Sequence, residues 1–338
     1  MFRRSCVRRF SLRSGVKLNL YASFQALSSA TSAVDFSALP LPGSRTDFLG
    51  KASDGGPVFL LQDSSSASYC PTIELKHVSV QFHSKCRVTT TGGAVENQFA
   101  VISCDASVPE LHEVFIRCLA AAIEQLPVAA GTSDLQRCVQ SLLNLFRALG
   151  RPSNREVTGL WAELFVIARS KNVPQFLRAW HSDQFERFDF SWPSGCIEVK
   201  ASVKEQRQHE FALEQLQPPL GGAGYVTSVL LQTLSGGVGI VDLANEIEAS
   251  VVSEPLLRQK LWENIAAALG DDFSERLDRR FDPSYAERTL TVYAMSDVPA
   301  PQEPSDPRIT SLRFRADLST VASSLTLTAR SALDALFV

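Results

Sequence analysis

Between residues 36 and 105 the apolar positions come in short runs, and turn-forming residues cut the runs apart. Residues 58–61, 73–80 and 99–103 are three such runs, separated by clusters of Gly, Ser, Pro and Asn. That pattern predicts strands joined by turns. The serine-rich stretch 64–68 reads as a flexible loop. From residue 108 the period changes. Leu111, Val114, Phe115, Cys118, Leu119 and Ala122 recur at helical spacing behind Pro109, which predicts a helix over 108–125. A second helix is predicted from Ser133 or Asp134 to Leu149, stopping at Gly150. Arg151-Pro152-Ser153-Asn154 makes a connection, with Ser153 or Asn154 as N-cap, and a third helix covers 156–170.

Past residue 187 the period shortens again. A β-hairpin is predicted over 187–202, a short helix or turn near Leu213, a Gly/Pro loop over 217–224 and a strand over 225–234. Helices fit 241–252 and 255–269. A strand fits 289–294, and a Pro-rich linker runs over 299–307. No internal repeat is visible. The order suggests a β-containing N-terminal domain followed by an α/β domain, with a boundary between 105 and 155. We divide the chain as a tail over 1–34, a β-rich domain over 35–130 and an α/β domain over 131–338.

Composition agrees with a globular protein. The 338 residues are 45% hydrophobic, ample for a sizeable core. No stretch approaches the roughly 18–20 unbroken apolar residues of a membrane-spanning helix. The charge is uneven. Arg3, Arg4, Arg8, Arg9, Arg13 and Lys17 precede the first acidic residue, Asp35. Removing those six charges from the total of −3 leaves −9 over residues 35–338. So acidic a body is not a general nucleic-acid binder, since non-specific affinity comes from phosphate neutralisation. Contact with nucleic acid then needs a local basic patch or a partner protein. The Arg- and Ser-rich tail has the composition of a transit peptide, but an unstructured basic tail is the simpler reading, and we exclude it from the fold. The seven cysteines are irregularly spaced with no CxxC, and the five histidines form no HExxH, so neither disulfides nor zinc are indicated. Reduced thiols and a cytoplasmic location are expected.

The candidate chemistry lies in the hairpin. In Phe188-Asp189-Phe190-Ser191-Trp192 aromatics alternate with Asp189 and Ser191. In Cys196-Ile197-Glu198-Val199-Lys200-Ala201 the aliphatic residues share one face, and Glu198 and Lys200 share the other. A two-residue loop at Ser194-Gly195 would pair Ser191 with Glu198 and set Asp189 across from Lys200. A three-residue loop would turn one set to the opposite face, so an even-numbered loop or a compensating bulge is required. Gly195 suits the positive φ of such a turn. Two close carboxylates repel unless a cation lies between them. Mg²⁺ takes such oxygens, with Mn²⁺ as an alternative, and lowers the pKa of a bound water. Lys200 can orient that water and offset charge in the transition state. The plainer reading is an ordinary hairpin whose ion pairs sit on a solvated face.

Glu163 adds a further acid. It falls among Leu160, Leu164, Ile167 and Ala168 on the third helix and projects from the buried stripe or its edge. On the helix alone, the simpler reading is an edge residue paired with Arg155 or Arg169. Downstream, Arg207, His209 and Gln215 either contact phosphate and align the lysine, or are surface polarity before a turn. Gly221-Gly222-Ala223-Gly224 lacks the Lys-Ser/Thr ending of a phosphate-binding loop and reads as a turn. The four tryptophans read as core.

Together these stretches resemble the PD-(D/E)XK nuclease superfamily. The residues that carry the likeness are Gly159-Leu160-Trp161-Ala162-Glu163-Leu164, Phe188-Asp189-Phe190, Ile197-Glu198-Val199-Lys200 and Gln208-His209-Glu210-Phe211-Ala212-Leu213-Glu214-Gln215-Leu216. More narrowly, the chain is similar to a bacterial family of PD-(D/E)XK-motif proteins associated with restriction and phage defence, from about residue 36 onward. Phe188 stands where the motif's proline would be. The resemblance implies a restriction-endonuclease-like α/β fold, a mixed sheet flanked by helices. It implies Asp189 and Glu198 as metal ligands with the Val199 carbonyl, Lys200 as the catalytic lysine, and Glu163 reaching the metal shell. DNA would be the substrate, with partner proteins from the same system and a possible homodimer. The rival reading is a catalytically silent nuclease-fold scaffold. Against it stands the complete acidic set, since a dead fold has no need to keep carboxylates unpaired. No RNA-binding module is evident.

Overall fold

A computed structural model describes residues 19–32, 34–66, 70–149, 156–181, 186–270, 273–306, 308–309 and 311–323. The basic residues Arg3 to Lys17, the 151–154 connection with both its N-cap candidates, and parts of the 64–68 loop and of the 299–307 linker lie outside these. The excluded tail needs correcting at its end. Leu20–Gln25 forms a helix, α1, capped by the Asn19 side chain. Its Phe24 is buried, edge-on to His112 and under the Lys51 ammonium. One aromatic docked into the core holds so short a helix, which has too few turns to be stable alone.

Six strands follow: β1 (Asp35–Pro40), β2 (Phe48–Lys51), β3 (Pro57–Gln62), β4 (Ile73–Glu74), β5 (Val78–Thr90) and β6 (Gly93–Cys104). The expected strand over 73–80 is split at 75–77, where the Leu75 amide turns back onto the Val78 carbonyl. The strand order is β1-β2-β3-β6-β5-β4, and β1 also pairs with β5 in parallel, closing the sheet on itself. Phe36, Ala38, Phe48, Val58, Leu60, Val88 and Phe99 fill one face as a small core. The other face, with Leu49, Phe59, Leu61, Val80 and Ile102, packs on α2 (Glu110–Ile123) and α3 (Thr132–Leu149). Alternation along each strand divides the two sets.

The second half begins with α4 (Val157–Arg169) and α5 (Val173–Ala179), then β7 (Phe190–Trp192), β8 (Gly195–Ser202) and β9 (Gln208–Ala212). A 3-10 turn, Leu213–Leu216, leads on to β10 (Ala223–Leu230) and β11 (Thr233–Val238). The helices α6 (Ile240–Ser250), α7 (Pro255–Leu269), α8 (Phe273–Leu277) and α9 (Pro283–Thr289) precede β12 (Thr291–Ala294) and β13 (Arg313–Asp317). The fold is α/β. Its second sheet has the order β12-β10-β8-β7, with β8 and β10 parallel and both outer strands antiparallel, so it is mixed as expected.

Helices cover one face of this sheet. Phe190, Ile197, Val199 and Val229 join Leu160, Leu164 and Ile167 of α4 in the main core. The other face is covered by an antiparallel ribbon of β9 and β13, where Cys196 and Val226 meet Phe211, Ala316 and Leu318. The main core runs without a break from Phe24 and Phe59 through α2, α3 and α4 to Val292. The boundary drawn at 130/131 therefore falls between two helices of one core. Trp161, Trp180 and Trp262 are fully buried and Trp192 is packed against this core, as read from the sequence.

Candidate active site

The hairpin turns through two residues, Pro193 and Ser194, with Trp192 opposite Gly195, Ser191 opposite Cys196 and Phe190 opposite Ile197. The register is displaced by two from that expected, which had Ser191 facing Glu198. An even displacement keeps every side chain on its expected face. Gly195 has no positive φ. It is required for space instead, because a Cβ there would stand 2.7 Å from the Ala223 carbonyl oxygen and 2.8 Å from the Trp192 ring. The glycine thus lies in β8 rather than in the turn, and this moves the turn one residue back, from 194–195 to 193–194.

Continued one step, the register sets Asp189 beside Glu198. The Val199 amide donates to Asp189 Oδ2 at 2.8 Å, fastening the carboxylate to the strand that carries Glu198 and Lys200. Glu198 is 4% exposed. Its Oε1 lies 2.8 Å from Lys200 Nζ and accepts a hydrogen bond from Gln215 Nε2 at 2.5 Å. The Gln215 carbonyl oxygen accepts from Lys200 Nζ at 3.2 Å and from the Ala212 amide at 3.1 Å. One amide therefore holds both the acid and the base, while the Lys200 ammonium lies 5.1 Å from the Phe211 ring centroid. The structure brings Asp189, Glu198, Lys200 and Gln215 together. Arg187 donates to the Glu214 carbonyl and to the Gln217 side chain, which pins the turn carrying Gln215.

Glu163 is 3% exposed, on a helix buried on nearly every side. Its Oε2 accepts from the Trp180 indole N–H at 2.7 Å. Of the two arginines proposed for it, Arg169 pairs with Glu246, and Arg155 lies outside the described residues. Trp180 bridges Phe190 of β7, so this bond links α4 to the edge of the hairpin. The next residue was not anticipated. His181 donates its amide to the Asp189 carbonyl at 2.8 Å, and its Nε2 lies 2.6 Å from Ser191 Oγ. No pattern in the sequence marks it, because it reaches the site by pairing beside β7.

Arg207 and His209 are turned into the fold. Arg207 donates to the Ser228 carbonyl at 3.0 Å, to Ser228 Oγ at 2.8 Å and to the Thr289 carbonyl. His209 Nε2 lies 2.8 Å from Ser228 Oγ. Burial first, then the charges of Lys200 and Arg207, push the His209 imidazole down to about 4. These two residues face inward onto a buried serine of the sheet.

Among the described residues no three His, Cys, Asp or Glu side chains converge as a metal-binding group. The acids here are a pair, Asp189 and Glu198, beside the Val199 main chain. Mg²⁺ is commonly bound by one or two protein carboxylates, with water and substrate phosphate completing its shell. Oxygen donors of this kind suit a hard cation. The nearby sulfur, Cys196, is fully buried, and burial pushes its thiol up to about 11. The residues present fit a hard divalent cation. The carboxylates are not unpaired, however: Glu198 is held by Lys200 and Gln215, Asp189 by an amide and Glu163 by an indole. Carboxylates paired in this way serve a silent scaffold as well as an enzyme.

A family model described as "Putative PD-(D/E)XK family member, (DUF4420)" matches residues 21–319. No curated protein and no solved structure matches the chain.

Proposed function

The chain belongs to this PD-(D/E)XK-type family, and from that membership we propose that it is a metal-dependent endonuclease that hydrolyses DNA phosphodiester bonds. The observation that carries the reading is Gln215, which holds Glu198 and Lys200 by one amide beside an Asp189 fastened to the same strand. Asp189, Glu198 and the Val199 carbonyl would hold a divalent cation, Mg²⁺ first and Mn²⁺ second. Such a cation polarises a phosphoryl oxygen and lowers the pKa of a water.

The protein's own groups do the rest. Lys200 orients the attacking water and offsets charge gathering on the phosphoryl oxygens. Gln215 keeps the ammonium from wandering, and Phe211 faces it with an aromatic ring. Glu163, through Trp180, sets the distance between α4 and the hairpin. Binding of metal or substrate at Glu198 has to compete with Lys200 and Gln215, so the ion pair rearranges on loading. The acidic body over 35–338 supports delivery to DNA by partner proteins, and a restriction or phage-defence setting is what the family resemblance implies. Among the described residues no helix is long and apolar enough to cross a membrane.

The same pairing of Glu198 favours a second reading, a nuclease-type fold kept as a scaffold in a defence assembly. Relaxation of supercoiled plasmid separates the two. Nicking that needs Mg²⁺, stops with EDTA and is lost in Lys200→Ala supports the enzyme. Absence of nicking by a protein that binds its partners supports the scaffold.

A further inference from the structure

We propose that Ser228 is a positioning residue that sets the place of Lys200 by anchoring β9 over the sheet. The proposal rests on Lys200 being the catalytic lysine, but its geometry stands alone. Ser228 is fully buried on β10, directly beside Lys200 in the parallel register of β8 and β10. Arg207 and His209, two side chains at the start of β9, both end on its hydroxyl.

The anchor matters because of how β9 is attached. Its ladder is to β13, in a two-stranded sheet of its own, and not to the four-stranded sheet beneath. Its register over β8 therefore depends on side chains. Two residues beyond His209, on the same buried face, comes Phe211, whose ring meets the Lys200 ammonium. The 3-10 turn that follows carries Gln215, the amide that holds Lys200 and Glu198. Ser228 thus fixes the start of the segment whose end fixes Lys200.

A guanidinium only donates, so Ser228 Oγ accepts from Arg207, and the proposal has the hydroxyl donate in turn to His209 Nε2. The imidazole then carries its proton on Nδ1 and is uncharged. A neutral ring avoids a further positive charge between Lys200 and Arg207, and its lowered pKa is in keeping with that.

The test compares full-length wild type with Ser228→Ala, His209→Leu and His209→Gln. The readout is the acetylation rate of each lysine by acetic anhydride, measured by mass spectrometry, beside DNA cleavage. Ser228→Ala and His209→Leu should raise labelling of Lys200 roughly tenfold while Lys51 and Lys260 change less than about twofold. His209→Gln keeps a neutral acceptor for the hydroxyl and should label Lys200 as slowly as wild type. In cleavage, the first two variants should lose kcat with little change in KM. Unchanged labelling of Lys200 in both, or an equal rise at every lysine, would overturn the proposal. If Ser228→Ala does not fold, the two His209 variants decide it. If wild type cleaves no DNA, the nuclease reading fails, and the labelling comparison still decides the role of Ser228.

Discussion

The Val199 amide donates to Asp189 Oδ2 at 2.8 Å, so the acid that precedes the hairpin is fastened between Glu198 and Lys200 on the opposite strand. A bond from the backbone of one strand to a side chain of the other leaves the acid no freedom to drift. The distance between the two carboxylates is thereby set by the hairpin itself, and whatever disturbs the hairpin register should disturb the site.

Gly195 is the place to test that dependence. An added methyl would meet the Ala223 carbonyl at 2.7 Å and the Trp192 ring at 2.8 Å. Gly195→Ala should cost about 1–3 kcal/mol in urea unfolding, whereas the exposed Ser194→Ala should stay within about 0.5 kcal/mol. Equal stability for both would show that β8 has room for a side chain at residue 195.

The Glu163–Trp180 bond should be worth measuring as a pair. Trp180→Phe removes the indole donor from a carboxylate that is 3% exposed. A double-mutant cycle of Trp180→Phe with Glu163→Gln should give a coupling of about 1 kcal/mol or more. Additive losses would mean that the two residues stabilise the fold independently.

Gln215→Ala removes the bonds that hold Glu198 at 2.5 Å and Lys200 at 3.2 Å. Cleavage should fall about 10²-fold, mostly in kcat, because a small misplacement of a reacting group is costly. A loss confined to KM would instead make Gln215 a substrate-binding residue.

His209 predicts a pH dependence of stability. An unfolded histidine protonates near 6.5, and His209 in the fold near 4. Between these values the unfolded chain holds a proton that the folded chain does not. The contribution is intact above 6.5 and is lost as pH falls towards 4, by up to about 3 kcal/mol. Denaturant titrations from pH 7.5 to 4 should show that slope in wild type and a shallower one in His209→Gln. Parallel slopes would locate the titration elsewhere.

Much of this was legible before the fold was known. The helix at 255–269 matches α7 (Pro255–Leu269) residue for residue, because Pro at its first turn and Gly after its last are strong boundary signals. The shared face of Asp189, Glu198 and Lys200 followed from alternation together with an even-numbered loop, and the loop has two residues. The register did not, since it depends on the contacts of Gly195 with Ala223, far along the chain. The strand β9 escaped notice because its buried face carries His209 as well as Phe211, and β13, its partner, lies a hundred residues on. In the sequence, nothing sets Ser228 apart from any other hydroxyl within an apolar strand. What makes it an anchor, the convergence of Arg207 and His209, exists only in three dimensions.

The most direct test of the central claim is calorimetric titration of Mg²⁺ into wild type and into Asp189→Ala/Glu198→Ala, with plasmid nicking on the same preparations. The account predicts binding and nicking in wild type and the loss of both in the double variant, at unchanged secondary structure. A double variant that binds Mg²⁺ as well as wild type would contradict it, and the hairpin would then be a structural element alone.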